Sequence, residues 1–134
     1  MLDLLPEFGH VLHAEVLVED RFDRPLAPER AGAYALPLEM VRRAPSASNK
    51  QPWRVLRAHG GWHFHLRRTE NYGRGSLPFL LLGLADLQRV DLGIAMAHFE
   101  LAAREAGLPG RWTADAKPVP GAEPPLEYVA SWVE

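Results

Sequence analysis

There is no cysteine anywhere in this chain. That removes disulfide staples, thiolate nucleophiles and cysteine-bound zinc from consideration. No apolar run reaches the roughly 18 residues that a membrane-spanning helix needs. Residues 1–20 carry no basic segment ahead of an apolar one, so a secretory leader is not expected. Excess positive charge is missing too. Fifteen Lys and Arg stand against 17 Asp and Glu, a net charge of −2, so no overall field draws nucleic acid or an anionic membrane. Together these absences point to a cytoplasmic protein with neither nucleic acid nor membrane as partner. What is present is 134 residues, 47% of them hydrophobic and 24% charged, enough for one domain with a real core.

The most informative stretch is Arg42–Arg54. It holds two prolines, two serines, Asn49, Gln51 and three arginines. Pro45 lacks a backbone donor and disfavours a helical residue before it, so a preceding helix stops near Arg43 or Ala44. Pro52 does the same to Gln51 and is expected to push the chain into an extended path. Between the prolines lies a short loop of hydroxyls and amides that can bond its own backbone or a ligand. A polar loop pinned at both ends between apolar elements is a candidate site on a rigid scaffold.

The rest of the chain frames that loop. Apolar spacing favours a helix over Leu4–Leu17, with Val16–Val18 as a strand in the alternative reading. Asp20–Glu29 reads as a polar loop. Residues 30–43 read as a helix with Tyr34, Leu38 and Val41 on one side and Pro37 starting its regular part. Arg42 and Arg43 fall in its last turn, where the helix dipole favours cations. Trp53–Ala58 and Trp62–Arg67 read as strands of a hairpin turning at His59-Gly60-Gly61.

In the second strand Trp62, Phe64 and Leu66 share one face, and His63, His65 and Arg67 the other. Two imidazoles on one face can hold a metal only with a third ligand, and none is identifiable. A solvated or cross-strand-paired face is the expectation. Thr69–Pro78 reads as a loop and Phe79–Leu84 as a short apolar segment. Asp86–Ala106 is a helix, capped by Asp86 and ended by Gly107 and Pro109. It carries two apolar stripes, Val90-Ile94-Ala97-Leu101 and Leu92-Met96-Phe99-Ala103. That pattern predicts a largely buried helix, at a domain centre or a subunit interface. His98 and Glu100 are candidate acid–base groups, read here as a satisfied interior or interface pair. Residues 113–125 are proline-rich and irregular, and Tyr128–Val133 closes the chain as a strand.

Two segments together resemble a known family. Pro45-Ser-Ala-Ser-Asn-Lys-Gln-Pro-Trp53 is similar to the Pro-Ser-x-x-Asn-x-Gln-Pro-Trp segment of FMN-dependent nitroreductases, with six fixed positions agreeing at fixed spacing. The helix around Asp91-Leu-Gly-Ile-Ala, with its Gly-Leu turn and the following Trp112, resembles the same family. The likeness spans roughly Leu26–Glu134 of a single domain covering 1–134, with residues 1–25 poorly matched. It is nearest to the C-terminal half of the longer Thermotoga-type nitroreductases.

The resemblance implies an α+β fold, an antiparallel-rich sheet packed with helices around a central buried helix, here a half or truncated version. It implies FMN as cofactor, NAD(P)H and a small-molecule electron acceptor as partners, and a homodimer formed partly through Asp86–Ala106. It implies flavin contacts at Pro45, Ser46, Ala47 and Asn49, with Gln51 a weaker candidate. Arg42 and Arg43 are phosphate partners on charge grounds, or otherwise solvated helix-end cations. The flavin does the hard chemistry, so no protein nucleophile is required.

Two departures stand out. Nothing in Met1–Arg21 matches the family's N-terminal Arg-Arg-Ser phosphate grip, and the chain ends Ala-Ser-Trp-Val-Glu rather than in Lys-x-Arg. These predict a fragment, a truncated product or a site completed by another subunit, with weak FMN binding and little turnover in the chain alone. A non-catalytic flavin-binding relative and a structural half-domain are the competing classes. A serine hydrolase built on Ser46 lacks the Gly-x-Ser-x-Gly surround.

Overall fold

The computed structural model describes residues 16–68, 86–115 and 126–134. Most of the expected Leu4–Leu17 helix, the Thr69–Pro78 loop and the Phe79–Leu84 segment lie outside the described residues. Among the described residues six strands form one sheet: β1 (Leu17–Glu19), β2 (Arg21–Pro25), β3 (Trp53–Ala58), β4 (Gly61–Arg67), β5 (Arg111–Thr113) and β6 (Leu126–Val133). Their order is β2-β1-β3-β4-β6-β5. Only β1 and β3 run parallel; the other neighbours are antiparallel. Among the described residues two α-helices, α1 (Ala35–Arg43) and α2 (Leu87–Glu105), pack on each other. The class is α+β, as the resemblance implies.

The alternating strand residues explain the core. Trp53 and Val55 of β3, Trp62, Phe64 and Leu66 of β4, and Trp132 of β6 are buried in one cluster. Leu38 and Val41 of α1 and Leu92, Ala95, Phe99 and Ala103 of α2 complete it. Phe99 is its centre. It meets Phe64 edge-on at 5.3 Å and Trp132 at 5.7 Å, and stacks on Tyr34 at 5.7 Å. Such aromatic pairs add to the area they bury. Gly110 lets β5 come close. A Cβ there would sit 2.2 Å from the Trp132 Nε1 atom, at a φ of +149°.

Three expectations need correction. Asp20–Glu29 is not all loop, because Arg21–Pro25 forms β2. It is an edge strand, and an exposed edge tolerates the charges and proline that made it read as loop. α1 begins at Ala35 rather than at Pro37, after a 3-10 turn at Gly32–Tyr34. α2 is not enclosed. Leu92, Ala95, Phe99 and Ala103 are buried, but Val90 is 54% and Leu101 70% exposed. In the Val90-Ile94-Ala97-Leu101 stripe only Ile94 packs against the core, and Val90, Ala97 and Leu101 are left exposed.

Candidate functional site

The proline-bounded loop joins α1 to β3. α1 ends at Arg43, and Ala44 is extended, as Pro45 requires. Ala47–Asn49 form a single 3-10 turn entered from an extended Ser46. Three non-glycine residues in or beside it have left-handed backbone: Ser48 (φ 53°), Asn49 (φ 52°) and Gln51 (φ 47°), so Gln51 is not extended before Pro52 as expected, and the contacts of its buried amide outweigh the local preference. Asn visits this region readily; Ser and Gln do so at a cost. The surrounding contacts hold them there. Gln51 N–H donates to Ser46 Oγ at 3.0 Å, and Gln51 Nε2 donates to the Arg42 carbonyl at 3.2 Å. Ala47 N–H donates to Asp91 Oδ2 of α2 at 3.0 Å.

These contacts sort the sequence-predicted residues. Pro45 is exposed, and Ser46, Ala47 and Asn49 are half-buried at the loop surface. Gln51 is buried, and its side chain braces the loop from inside. Arg42 and Arg43 converge on one carboxylate. Arg42 reaches Glu39 through Nε at 3.0 Å and through a terminal nitrogen at 2.8 Å, and Arg43 Nε reaches it at 2.7 Å. The bond from Arg42 is the main reason the Glu39 carboxyl is held down at about 2. Two guanidiniums on one carboxylate leave one net positive charge beside the loop.

Asp91 is the functional candidate that the sequence did not expose. It was visible only as one letter of a motif. Yet it lies on the inward stripe with Gln88, Leu92, Ala95 and Phe99. A carboxylate at such a position must find a donor, and that demand was the available signal. Burial pushes its pKa up, against the Ala47 bond that lowers it.

The other candidates resolve differently. His63 and His65 are both buried, not solvated. His63 lies opposite Ser131 in the ladder and bonds its Oγ through Nδ1 at 2.6 Å. His63 Nε2 is 2.7 Å from the Ala58 carbonyl, which can only accept, so Nε2 carries the proton. Ser131 Oγ is also 2.7 Å from the Tyr128 hydroxyl. This is the cross-strand pairing that was the other half of the expectation. No group of three His, Asp or Glu that could hold a metal occurs among the described residues. His98 and Glu100 are satisfied, but not as a pair. His98 donates to the Ile94 carbonyl at 2.9 Å. Glu100 accepts from Trp112 Nε1 at 2.9 Å and from Arg104 at 3.0 Å, which lower its pKa in that order.

No helix among the described residues is long and apolar enough to cross a membrane. No curated protein and no solved structure matches the chain. A family model does match, over residues 33–103, just over half of the chain and including both the loop and most of α2. Its description is "Putative TM nitroreductase". With the loop, its anchoring helix and the sheet between them all inside or beside that match, the chain belongs to this family of nitroreductase-like oxidoreductases.

Proposed function

We propose that the chain is an FMN-dependent oxidoreductase whose 45–52 loop lies against the flavin. The observation that carries this reading is the loop's backbone: Ser48, Asn49 and Gln51 are left-handed and are held so by bonds from two helices. Strain of this kind persists only where the surroundings over-determine it, and it gathers at ligand sites. The residues suit the cofactor. Ala47 and Pro45 offer small or flat apolar contact for a ring, and Ser46 and Asn49 offer hydrogen bonds for its polar edge. The net positive Arg42–Arg43–Glu39 group supplies charge for a phosphate. Gln51 serves the loop rather than the ligand.

When bound, FMN would accept hydride from NAD(P)H and deliver it to a small acceptor such as a nitroaromatic or a quinone. The protein's part is to bind the cofactor, orient it and leave one face open. The exposed stripe of α2, with Leu87, Val90 and Leu101, supports a homodimer, because exposed large apolar side chains gathered on one helix favour burial against a second copy. Sedimentation at micromolar concentration should give a dimer; a stable monomer removes that part of the reading.

The flavin reading is tested by the absorbance spectrum of freshly purified protein with and without added FMN, followed by NAD(P)H oxidation. Replacing Ser46 and Asn49 together by alanine should weaken FMN binding by about tenfold or more, the equivalent of one or two lost hydrogen bonds, without unfolding the chain. Unchanged affinity in the double variant would place the flavin elsewhere. A protein that takes up no flavin would be a structural half-domain instead.

A further inference from the structure

The structure assigns Asp91 a role as the positioning residue of the 45–52 loop: its carboxylate, presented by α2, fixes the turn at Ala47–Asn49 by accepting the Ala47 N–H. The inference deepens the flavin reading and rests on it for its effect on binding, though not for its effect on the loop itself.

The Asn49 N–H, the Lys50 N–H and the Gln51 N–H are all taken up inside the loop, by the Ser46 carbonyl, the Ala47 carbonyl and Ser46 Oγ. Such bonds shape the turn but cannot fix where it sits. The Ala47 N–H is different, since it leaves the loop and crosses to α2, 44 residues away in sequence. Its acceptor is 5% exposed. A carboxylate so buried demands a donor, so each group holds the other in place. Asp91 is also rigidly carried, because Leu92 and Ala95 beside it are core residues. The neighbouring Val90 lies on the exposed stripe of the same helix. α2 therefore carries both the outward face and the bond that seats the turn at Ala47, while the Gln51 amide ties the far end of the loop to the Arg42 carbonyl of α1.

The test is a double-mutant cycle. Asp91→Ala removes the acceptor. Ala47→Pro removes the donor with little other disturbance, because Ser46 is already extended (φ −146°, ψ 154°) and Ala47 opens the 3-10 turn, a position where proline is tolerated. Each variant should weaken FMN binding by about tenfold to a hundredfold, the range for one charge-assisted bond. The two together should be no worse than either alone. Asp91→Asn keeps an acceptor oxygen and should recover most of the affinity. In parallel, hydrogen exchange at the Ala47 amide should speed up by at least about tenfold in Asp91→Ala, while Val55 and Phe64 stay protected.

Additive losses in the cycle, or an Ala47 amide that remains protected in Asp91→Ala, would overturn the assignment. If wild-type protein takes up no FMN, the flavin reading fails and the amide measurement alone decides the role of Asp91. If Asp91→Ala unfolds, Ala47→Pro decides, and unchanged FMN affinity in that variant overturns the assignment.

Discussion

Two turns bracket β3, and both use left-handed residues that are not glycine. At one end the β3–β4 hairpin turns through His59 (φ 49°) and Gly60 (φ 71°). At the other the loop turns through Ser48, Asn49 and Gln51. The hairpin turn is the mirror-type turn that twisted strands prefer, and the ladder from Trp53↔Leu66 to Ala58↔Gly61 drives it. Its strain is offset next door. The loop has a helix on one side, a strand on the other and no ladder across it. Its shape depends on tertiary bonds to Asp91 and Arg42 and on its own Ser46 hydroxyl. A turn that its neighbours dictate explains itself by connection. A turn that distant groups must hold invites a functional explanation, and this one lies within the segment matched by the family model.

The largest expected effect is that of acid on the hairpin side. Burial, opposed by its bond to the His63 carbonyl, pushes the His65 imidazole down to about 4 from the usual 6.5. The unfolded chain therefore takes up this proton at higher pH than the folded chain does. Stability from this group is full above pH 6.5 and falls as pH drops toward 4, with nothing further lost below that. The whole effect is about 3 kcal/mol. His63, lowered mainly by burial, acts in the same direction. The Glu39 bridge beside the loop behaves differently. Its lowered pKa contributes stability above about 4.5 that is lost only as pH falls toward 2. Urea midpoints at pH 7 and 4.5 measure the first window. His65→Phe keeps a ring for the edge contacts with Phe22 and Tyr128 but cannot titrate, so its midpoint should fall less between the two pH values. An equally steep fall would show that His65 does not govern acid stability.

The hairpin was the more legible of the two regions. Glycines between alternating runs fixed its turn, and the spacing of Trp62, Phe64 and Leu66 gave its core face. The first limit of the loop was also legible, because Ala44 before Pro45 is extended, but Gln51 before Pro52 is left-handed where an extended residue was expected. The division of labour inside the loop was not legible. Gln51 read only as a weaker flavin candidate, and nothing local showed that its amide would meet a carbonyl of the preceding helix. Asp91 showed only as one letter of a motif, because its partner lies 44 residues away. The same limit hid the burial of His63, which depends on Ser131 from the last strand. The strand β2 was hidden for another reason. Edge strands are selected for the charges and prolines that otherwise signal a loop. Local chemistry was readable; long-range pairing of polar groups was not.

The finest test of the comparison exchanges glycine between the two turns. Gly60→Ala forces a Cβ into left-handed backbone, and no atom lies within 4 Å of where that Cβ would sit. Its cost is therefore the backbone strain alone, about 1 kcal/mol. Ser48→Gly is the reverse change. It releases strain of order 1–3 kcal/mol, but it frees the unfolded chain by roughly 0.5–1 kcal/mol and gives up the contacts of the serine side chain. The expected balance is a gain of about 1 kcal/mol or less, read as a small rise in urea midpoint. The same variant should bind FMN more weakly, because a glycine loop no longer rests in one conformation before the ligand arrives. A more stable protein with a weaker ligand would mark the loop as strained for binding. If Ser48→Gly instead destabilises the fold as much as Gly60→Ala does, the loop is an ordinary connection, and the distinction between the two turns fails.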